Sequence, residues 1–473
     1  MQTVSFGLPP MCAASVVLAS VLAVAGGSGQ AQRLDQEFQA AVAQYDAGHF
    51  PEAATQLENL LPHAPESFEI HELLGLVYSE ESKDALANQH LEKAVRLKPD
   101  SAAARTNLAA NLVRLGKLDG AQVQLKKAVA LEPRNFDANH NLGELYIRAG
   151  KLADAVPFLK QAQAINPSSY DNGYDLALAD LMTGKSAQAR ESVQSLLKIK
   201  DTAELHNLLG EIEEKDGKYV AAVNEFALAA HQDPSESNLF DWASELLLHR
   251  TLEPAIEIFR QSAQRYPNSV RMAIGLGIAL YSRGNYDDAV KSLLRAADLA
   301  PSNPACYRFL SSAYDSSPTE AEGVILRFRR FAELQPNNPR ALYYYAMSLW
   351  KGRRMQDAGL DVGKIESLLK DSIRLDPALA EAHLQLGNLY SDQTHYAAAI
   401  PEYESALRYA PNLADARYRL GQAFARTGDK KRAQDQFEVY QRLRAEHQAE
   451  VDKQRAEIRQ FVYTAKDAPA TKQ

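Results

Sequence analysis

Histidine, cysteine and glycine are the residue types that could supply metal binding, nucleophilic catalysis or phosphate binding in this chain. The eleven histidines are scattered, and the sequence contains no HExxH zinc motif, no paired CxxC motif and no GxSxG nucleophile motif. The phosphate-binding pattern GxxxxGK[ST] is also absent. His71, His206 and His383 each stand three residues before a leucine of a recurring pattern, so we interpret them as structural. We therefore expect no enzyme activity, no catalytic residue, no metal site and no cofactor.

Cys306 is the remaining candidate for reactive chemistry, because Cys12 falls in a segment that has the features of a signal peptide. With that segment removed, one cysteine remains and no intramolecular disulfide can form. Cys306 lies in a helical stripe near Phe309 and Leu310, which favours a buried, inert thiol over a reactive one.

A repeated pattern must position the side chains of this protein. Prolines recur at one constant spacing, at Pro65, Pro99, Pro133 and Pro167, and Asp201 takes the next equivalent place. The series then resumes at Pro234, Pro267, Pro301, Pro336, Pro377 and Pro411. A regular period of this size is the signature of a stacked repeat architecture.

One repeat, residues 139–167, shows why each unit should form two helices. Apolar residues follow helical spacing on both sides of Gly150, which can take the left-handed conformation that ends a helix. Pro167 has no N–H and stops the second helix. Gly143 and Ala155 are small enough for the two helices to approach closely, so a larger side chain at Gly143 should overpack the contact.

The recurring positions carry the marks of a known family. They are Leu74-Gly75, Tyr78, Ala87, Leu91, Ala94 and Pro99 in one repeat, with Leu276-Gly277, Ala289, Leu293, Ala296 and Pro301, and Leu386-Gly387, Tyr390, Ala399, Tyr403, Ala406 and Pro411 in two others. This pattern resembles the tetratricopeptide repeat (TPR) and covers roughly residues 34 to 440. The resemblance, to an exported bacterial type of TPR protein, implies an all-α, right-handed α-solenoid of about twelve stacked helix-turn-helix repeats with a C-terminal capping helix.

We expect four segments along the chain. Residues 1–31 would be a signal peptide, residues 32–440 the TPR superhelix, residues 441–463 a capping helix and residues 464–473 a disordered tail. The array is irregular at 304–377, where extra residues at Arg353–Gly363 are interpreted as a longer loop between two helices. A dimerising helix is the alternative for 441–463.

The amino-terminal segment, residues 1–31, contains no charged side chain, and Cys12–Gly27 is apolar but short for a membrane span. We expect a cleaved signal, with an uncleaved anchor or a mistaken start as alternatives. The protein would then be exported, periplasmic or extracellular, and open to peripheral membrane association without a stable membrane span. A net charge of −8 argues against nucleic acid as the main partner.

The resemblance also implies that the first helix of each repeat lines an inner groove with two different walls. In the first half this wall would be mostly acidic: Glu69, Glu72, Asp137, His140, Glu144, Asp171, Glu204, Glu211 and Glu214. In the later half it would also include Leu247, Arg271 and Ile278, and the residues expected to bind a partner are Phe240, Ile274, Tyr281, Arg308, Arg340, Tyr343, Met347 and Trp350. Aromatic residues, Met and Arg are enriched at protein-binding sites. The alternative is that some of them pack between neighbouring repeats.

The function expected from this pattern is a non-enzymatic scaffold that binds a partner protein or extended peptide in the groove. An assembly or secretion factor for envelope polysaccharide or outer-membrane machinery is the alternative. A non-catalytic subunit of a transferase is a more remote one. The sequence leaves the oligomeric state open.

Overall fold

The computed structural model describes residues 28–317, 319–356, 361–445, 456 and 458–460, and this part of the chain contains helices and no β-strand. The first eleven α-helices are α1 (Ser28–Asp46), α2 (Phe50–Leu60), α3 (Phe68–Glu80), α4 (Asp84–Leu97), α5 (Ala102–Arg114), α6 (Leu118–Leu131), α7 (Phe136–Arg148), α8 (Leu152–Ile165), α9 (Tyr170–Met182), α10 (Ser186–Leu197) and α11 (Ala203–Lys215). A short 3₁₀ helix, Leu61–His63, follows α2.

The remaining helices are α12 (Tyr219–Gln232), α13 (Glu236–Leu248), α14 (Leu252–Arg265), α15 (Val270–Arg283), α16 (Tyr286–Leu299), α17 (Pro304–Ser316), α18 (Ala321–Leu334), α19 (Pro339–Gln356), α20 (Val362–Leu375), α21 (Ala380–Asp392), α22 (Tyr396–Tyr409), α23 (Ala414–Arg426) and α24 (Lys430–Ala445). They form consecutive helix-turn-helix pairs, each with an odd-numbered first helix and an even-numbered second helix. The fold is the all-α solenoid that the repeat pattern predicts.

The chain divides into two compact units, residues 1–222 and 223–473, with the boundary inside α12. Within each unit the second helix of one pair packs on the first helix of the next, and successive first helices also touch, as α7 touches α9 and α15 touches α17. We call the face formed by the first helices the inner face of that unit. The buried clusters extend along the stack, as expected when each repeat contacts only its neighbours.

Glycine at the helix contact has the predicted packing role. A Cβ atom added to Gly143 would lie 2.5 Å from Leu159 Cδ2, and one added to Gly387 would lie 2.7 Å from Tyr403 Cε1. Both glycines are on first helices, and both partners are fully buried on second helices. The absence of a side chain on the first helix therefore sets how closely the two helices of a pair approach.

The turn between the two helices of a pair needs a left-handed residue. Gly150 has φ 69°, as predicted, and the glycine turns at Gly48, Gly116, Gly184 and Gly217 have the same sign. Where the sequence lacks this glycine, an ordinary residue adopts the conformation, as Thr394 does with φ 64°. This conformation costs L-residues roughly 1–2 kcal/mol, so these turns are locally strained.

The irregular region departs from the expected loop. Helix α19 continues to Gln356, so residues 353–356 of the expected loop are helical. The next helix begins at Val362. The extra residues are thus partly absorbed by lengthening the first helix of the pair, because no glycine or proline interrupts residues 353–356.

The signal segment 1–31 falls almost wholly outside the described residues, as do most of the predicted capping helix beyond Ala445 and the tail 464–473. The segment boundaries stay predictions. Among the described residues, no helix combines the length and apolar character required to cross a lipid bilayer.

Candidate functional site

The eight candidate residues of the later half lie on four first helices of the second unit. Phe240 is on α13, Ile274 and Tyr281 are on α15, Arg308 is on α17, and the other four are on α19. Their accessibility differs: Phe240, Ile274 and Trp350 are buried, whereas Tyr281, Arg308, Tyr343 and Met347 are partly exposed. The Arg340 side chain is 55% exposed.

Phe240 and Ile274 contribute to the packed core of the second unit. The Phe240 ring lies edge-on to Phe259 with centroids 5.9 Å apart. The Arg271 guanidinium lies 5.2 Å from its centroid and pairs with Glu236 at 2.7 Å. Their contact with a partner stays a prediction, and the accessible candidates give the stronger case.

Arg340 and Tyr343 of α19 lie near Glu381 and Tyr344, and the charge of Arg308 on α17 also acts on Tyr344. Arg340 Nη1 lies 3.8 Å from Glu381 Oε1, and its positive charge acts on the Tyr344 hydroxyl. The ring centroids of Tyr343 and Tyr344 are 5.6 Å apart. Burial raises the pKa of Tyr344, and the positive charges of Arg340 and Arg308 oppose that rise. We call these five residues the Tyr343 cluster.

Trp350 and Met347 of α19 pack towards the second helix of the same pair. Trp350 is part of a buried cluster with Ile365 and Leu369 of α20, and Tyr343 and Met347 pack against the same cluster. Tyr343 and Trp350, seven residues apart on α19, thus contact one buried apolar cluster, and their contact with a partner stays a prediction. Burial, followed by the negative charges of Asp315 and Glu381, raises the pKa of Tyr343, so its hydroxyl stays neutral.

A residue from the C-terminal segment packs on the core of this unit. Ile458, which sequence analysis placed in a capping helix, packs against the core cluster formed by Phe240–Tyr344. Sequence reasoning missed this contact, because the repeat pattern ends before it and gives no period to align.

The inner face of the first unit gathers carboxyl groups from three successive first helices. Glu144 is on α7, Asp171 and Asp175 are on α9, and Glu204 is on α11. Glu144 accepts hydrogen bonds from Arg148 at 2.5 and 3.1 Å. Glu204 accepts one from the Tyr170 hydroxyl at 3.0 Å, which links α9 to α11. We call these four carboxyl residues the acidic cluster.

Asp175 is the member of the acidic cluster that sequence reasoning missed. Its side chain is buried, at 3% exposure, and burial together with Glu144 and Asp171 raises its pKa to about 7. Asn107 and Asn141 occupy the equivalent place in the two repeats before it, at the same spacing as the prolines. The change from Asn to Asp at this repeated position was the sequence signal that could have identified Asp175 as a candidate.

His71, His206 and His383 each contact the residue that closes the preceding repeat. His71 and His383 donate from Nε2 to the carbonyl oxygens of Pro65 and Pro377, at 3.0 and 3.1 Å, which ties each first helix to the proline before it. In the repeat that lacks the proline, His206 Nε2 lies 2.9 Å from the carboxylate of Asp201.

The second ring nitrogen of these histidines reaches the second helix of the same pair. His71 Nδ1 lies 2.9 Å from His90 Nδ1, and His383 Nδ1 lies 2.7 Å from Glu402 Oε2. Cys306 is buried, and desolvation raises its pKa to about 12, so the thiol stays protonated at neutral pH.

Two sequence profiles described as Tetratricopeptide repeat match this chain. One matches residues 38–102, 106–170, 240–304 and 384–447, which is more than half of the chain, and the other matches residues 146–212. Among curated proteins, the chain is similar to Protein O-mannosyl-transferase TMTC1 of Homo sapiens, with 23% identity over 160 residues. That match covers 34% of this chain and 18% of the human protein, so the chain spans about a fifth of the length of the curated relative it matches.

Solved structures similar to the chain include Naa15/Naa10 bound to HypK-THB, at 17% identity and TM-score 0.38, covering 86% of this chain and 68% of that one. Pseudomonas aeruginosa PilF has 18% identity and TM-score 0.40, covering 44% and 95%. PilW, described as a type IV pilus biogenesis factor, has 22% identity and TM-score 0.38, covering 43% and 94%. At these identities the likeness concerns the fold alone.

Proposed function

The chain belongs to the tetratricopeptide repeat family, and we propose that it is a non-enzymatic scaffold that binds a partner protein or extended peptide through the second unit. The observation that carries this proposal is the Tyr343 cluster, where Arg340 of α19 lies 3.8 Å from Glu381 of α21, the rings of Tyr343 and Tyr344 lie side by side, and the charge of Arg308 on α17 acts on Tyr344. TPR proteins are generally non-catalytic scaffolds for protein interactions.

The chemistry of the Tyr343 cluster suits a peptide with both apolar and acidic groups. Arginine offers a planar set of donors that matches a carboxylate, and tyrosine gives a rigid aromatic surface at low entropic cost. Met347 and Tyr281 are partly exposed nearby in the array and add adaptable apolar surface. Phe240 and Ile274 would support this surface from beneath.

The C-terminal segment could affect how a partner reaches the Tyr343 cluster, because Ile458 and Tyr343 pack against the same buried core cluster. A partner would therefore bind either beside this segment or in its place. Comparing the full chain with a form ending at Ala445 separates the two cases: tighter binding by the shorter form means displacement, and equal binding means coexistence.

The test is capture of native partners by purified protein, followed by identification of what is bound. Tyr343→Ala should abolish capture of a specific partner, whereas the control Tyr409→Ala should retain it. Tyr409 is 45% exposed and lies on the second helix α22 of the same unit. Equal capture by both variants, with unchanged circular dichroism, would eliminate the Tyr343 cluster as the binding surface.

An assembly or secretion factor for envelope machinery is a narrower form of the same proposal. It requires that the captured partner be a component of such machinery and that the protein be exported. Export is supported by the uncharged, apolar amino-terminal stretch. Amino-terminal sequencing of the mature protein tests it, since a start at Gln32 is expected and an intact Met1 would refute cleavage.

A further inference from the structure

We propose that the inner face of the first unit holds a binding site for a cationic side chain, lysine or arginine, of an extended peptide, centred on the carboxyl group of Asp175. This site is separate from the Tyr343 cluster and lies in the other unit. It adds a ligand class that the scaffold proposal does not specify.

The position of Asp175 is the first argument. Carboxyl groups of Glu144, Asp171 and Glu204 act on it from α7, α9 and α11, and the opposing charge among these groups is Arg148. Arg148 is already hydrogen-bonded to Glu144. The neighbouring lysines Lys160 and Lys185 instead pair with Asp180, farther along α9. The acidic cluster is therefore left with an excess of negative charge.

The state of the Asp175 side chain is the second and independent argument. It is 3% exposed, yet within the described part of the chain it forms neither a hydrogen bond nor an ion pair. Removing a carboxyl group from water without a partner is costly, and buried acids are normally paired or hydrogen-bonded. Asn107 and Asn141 show that the fold accepts an uncharged residue at this place. The carboxyl group is thus not a requirement of packing.

A cationic peptide side chain fits this arrangement better than a metal ion. No set of three or more acidic, histidine or cysteine side chains among the described residues is close enough to hold a metal. The carboxyl groups are instead spread along three helices, which suits an extended chain crossing them. Tyr174, one residue before Asp175, is partly exposed, and the negative charges of Glu204 and Asp175 act on its hydroxyl.

The experiment uses the full chain and a fluorescein-labelled decapeptide of alternating lysine and glycine, with binding followed by fluorescence anisotropy at physiological salt. The same peptide with acetylated lysines serves as the uncharged probe. A hydrogen bond to a charged group contributes about 1.5–3 kcal/mol, which is roughly 10- to 100-fold in affinity. We therefore expect Asp175→Asn to weaken binding of the lysine peptide at least tenfold and the acetylated peptide to bind poorly.

Asp154→Asn is the matched control. It removes the same charge from an exposed position on the second helix α8 of the same unit, and should change affinity less than twofold. Equal losses in the two variants would indicate non-specific attraction to an acidic protein and overturn the proposal. Absence of lysine-peptide binding, or Asp175-dependent binding of Ca²⁺ alone, would also overturn it.

The two proposals fail separately. Tyr343→Ala should bind the lysine peptide normally, because the changed residue lies in the other unit. Asp175→Asn keeps the Tyr343 cluster intact, so loss of native partner capture by that variant alone would assign the partner to the first unit. A thermal melt of each variant verifies folding before binding is compared.

Discussion

Changing Asp175 to Asn should stabilise the protein while removing its proposed binding site. The carboxyl group is buried, and this burial, together with the negative charges of Glu144 and Asp171, raises its pKa from 3.8 to about 7. The native state therefore holds this proton more tightly than the unfolded chain does. Between about pH 4 and pH 7 the unfolded chain has lost the proton and the native state has kept it, so the stability contributed by this group falls as pH rises.

The size of the effect follows from the pKa. Each pKa unit corresponds to 1.36 kcal/mol, so ionising the native carboxyl group above pH 7 costs about 4 kcal/mol relative to the unfolded chain. Asparagine has no charge to bury, and Asn141 already occupies the equivalent position. We expect Asp175→Asn to be more stable than the natural protein by up to about 4 kcal/mol at pH 8 and by little at pH 4.

The assay is hydrogen exchange of α7, α9 and α11 at pH 6 and 8, supported by thermal melts at pH 4, 6 and 8. Local exchange is suitable because repeat arrays need not unfold in one step. Asp154→Asn, exposed on α8 and absent from the charges that act on Asp175, is the control and should shift stability by less than about 0.5 kcal/mol. A loss of stability in Asp175→Asn at pH 8 would refute the reasoning, since it would mean that the carboxylate has a stabilising partner.

Three further predictions concern the fold. Gly143→Ala should lower the melting temperature, because the added Cβ would lie 2.5 Å from Leu159. Gly120→Ala is the control and should leave it unchanged, since the nearest atom to its added Cβ is 3.4 Å away. Equal effects of the two substitutions would contradict the packing argument. Thr394→Gly should stabilise by about 1 kcal/mol by relieving a left-handed residue, and a lower melting temperature would contradict this. Burial and His71 lower the pKa of His90 to about 4, so its stability contribution is present above pH 6.5 and lost as pH falls towards 4. His90→Gln should flatten that acid dependence in urea titrations, and an unchanged slope would refute it.

The repeat pattern predicted the pairs of helices and the turn at Gly150 well, because both depend on local backbone chemistry. The proline that closes most repeats has no N–H and disfavours helical backbone in the residue before it, and a glycine between apolar stripes permits a left-handed turn. The role of Gly143 was predictable for the same reason, since the fold brings two helices together at the smallest residue.

The candidate sites were less predictable from the sequence. Periodic positions indicated which residues face inward, but Phe240 and Ile274 prove to be covered, while Arg340 is largely exposed. Asp175 was overlooked because it lies between the positions used for the groove. Its raised pKa depends in part on the charges of Glu144 and Glu204, which belong to neighbouring repeats and are brought near it by the fold.

The sequence by itself therefore determined the fold, the period of the array and the chemical contrast between an acidic first half and an arginine- and aromatic-rich second half. The tertiary structure alone decided which of those side chains have access to solvent, that the Asp175 side chain is buried with no hydrogen bond within the described residues, and that Ile458 packs onto residues more than a hundred positions earlier. The physical reason is that helix formation depends on neighbours within one turn of the chain. Burial and charge interaction depend on side chains that meet across separate helices.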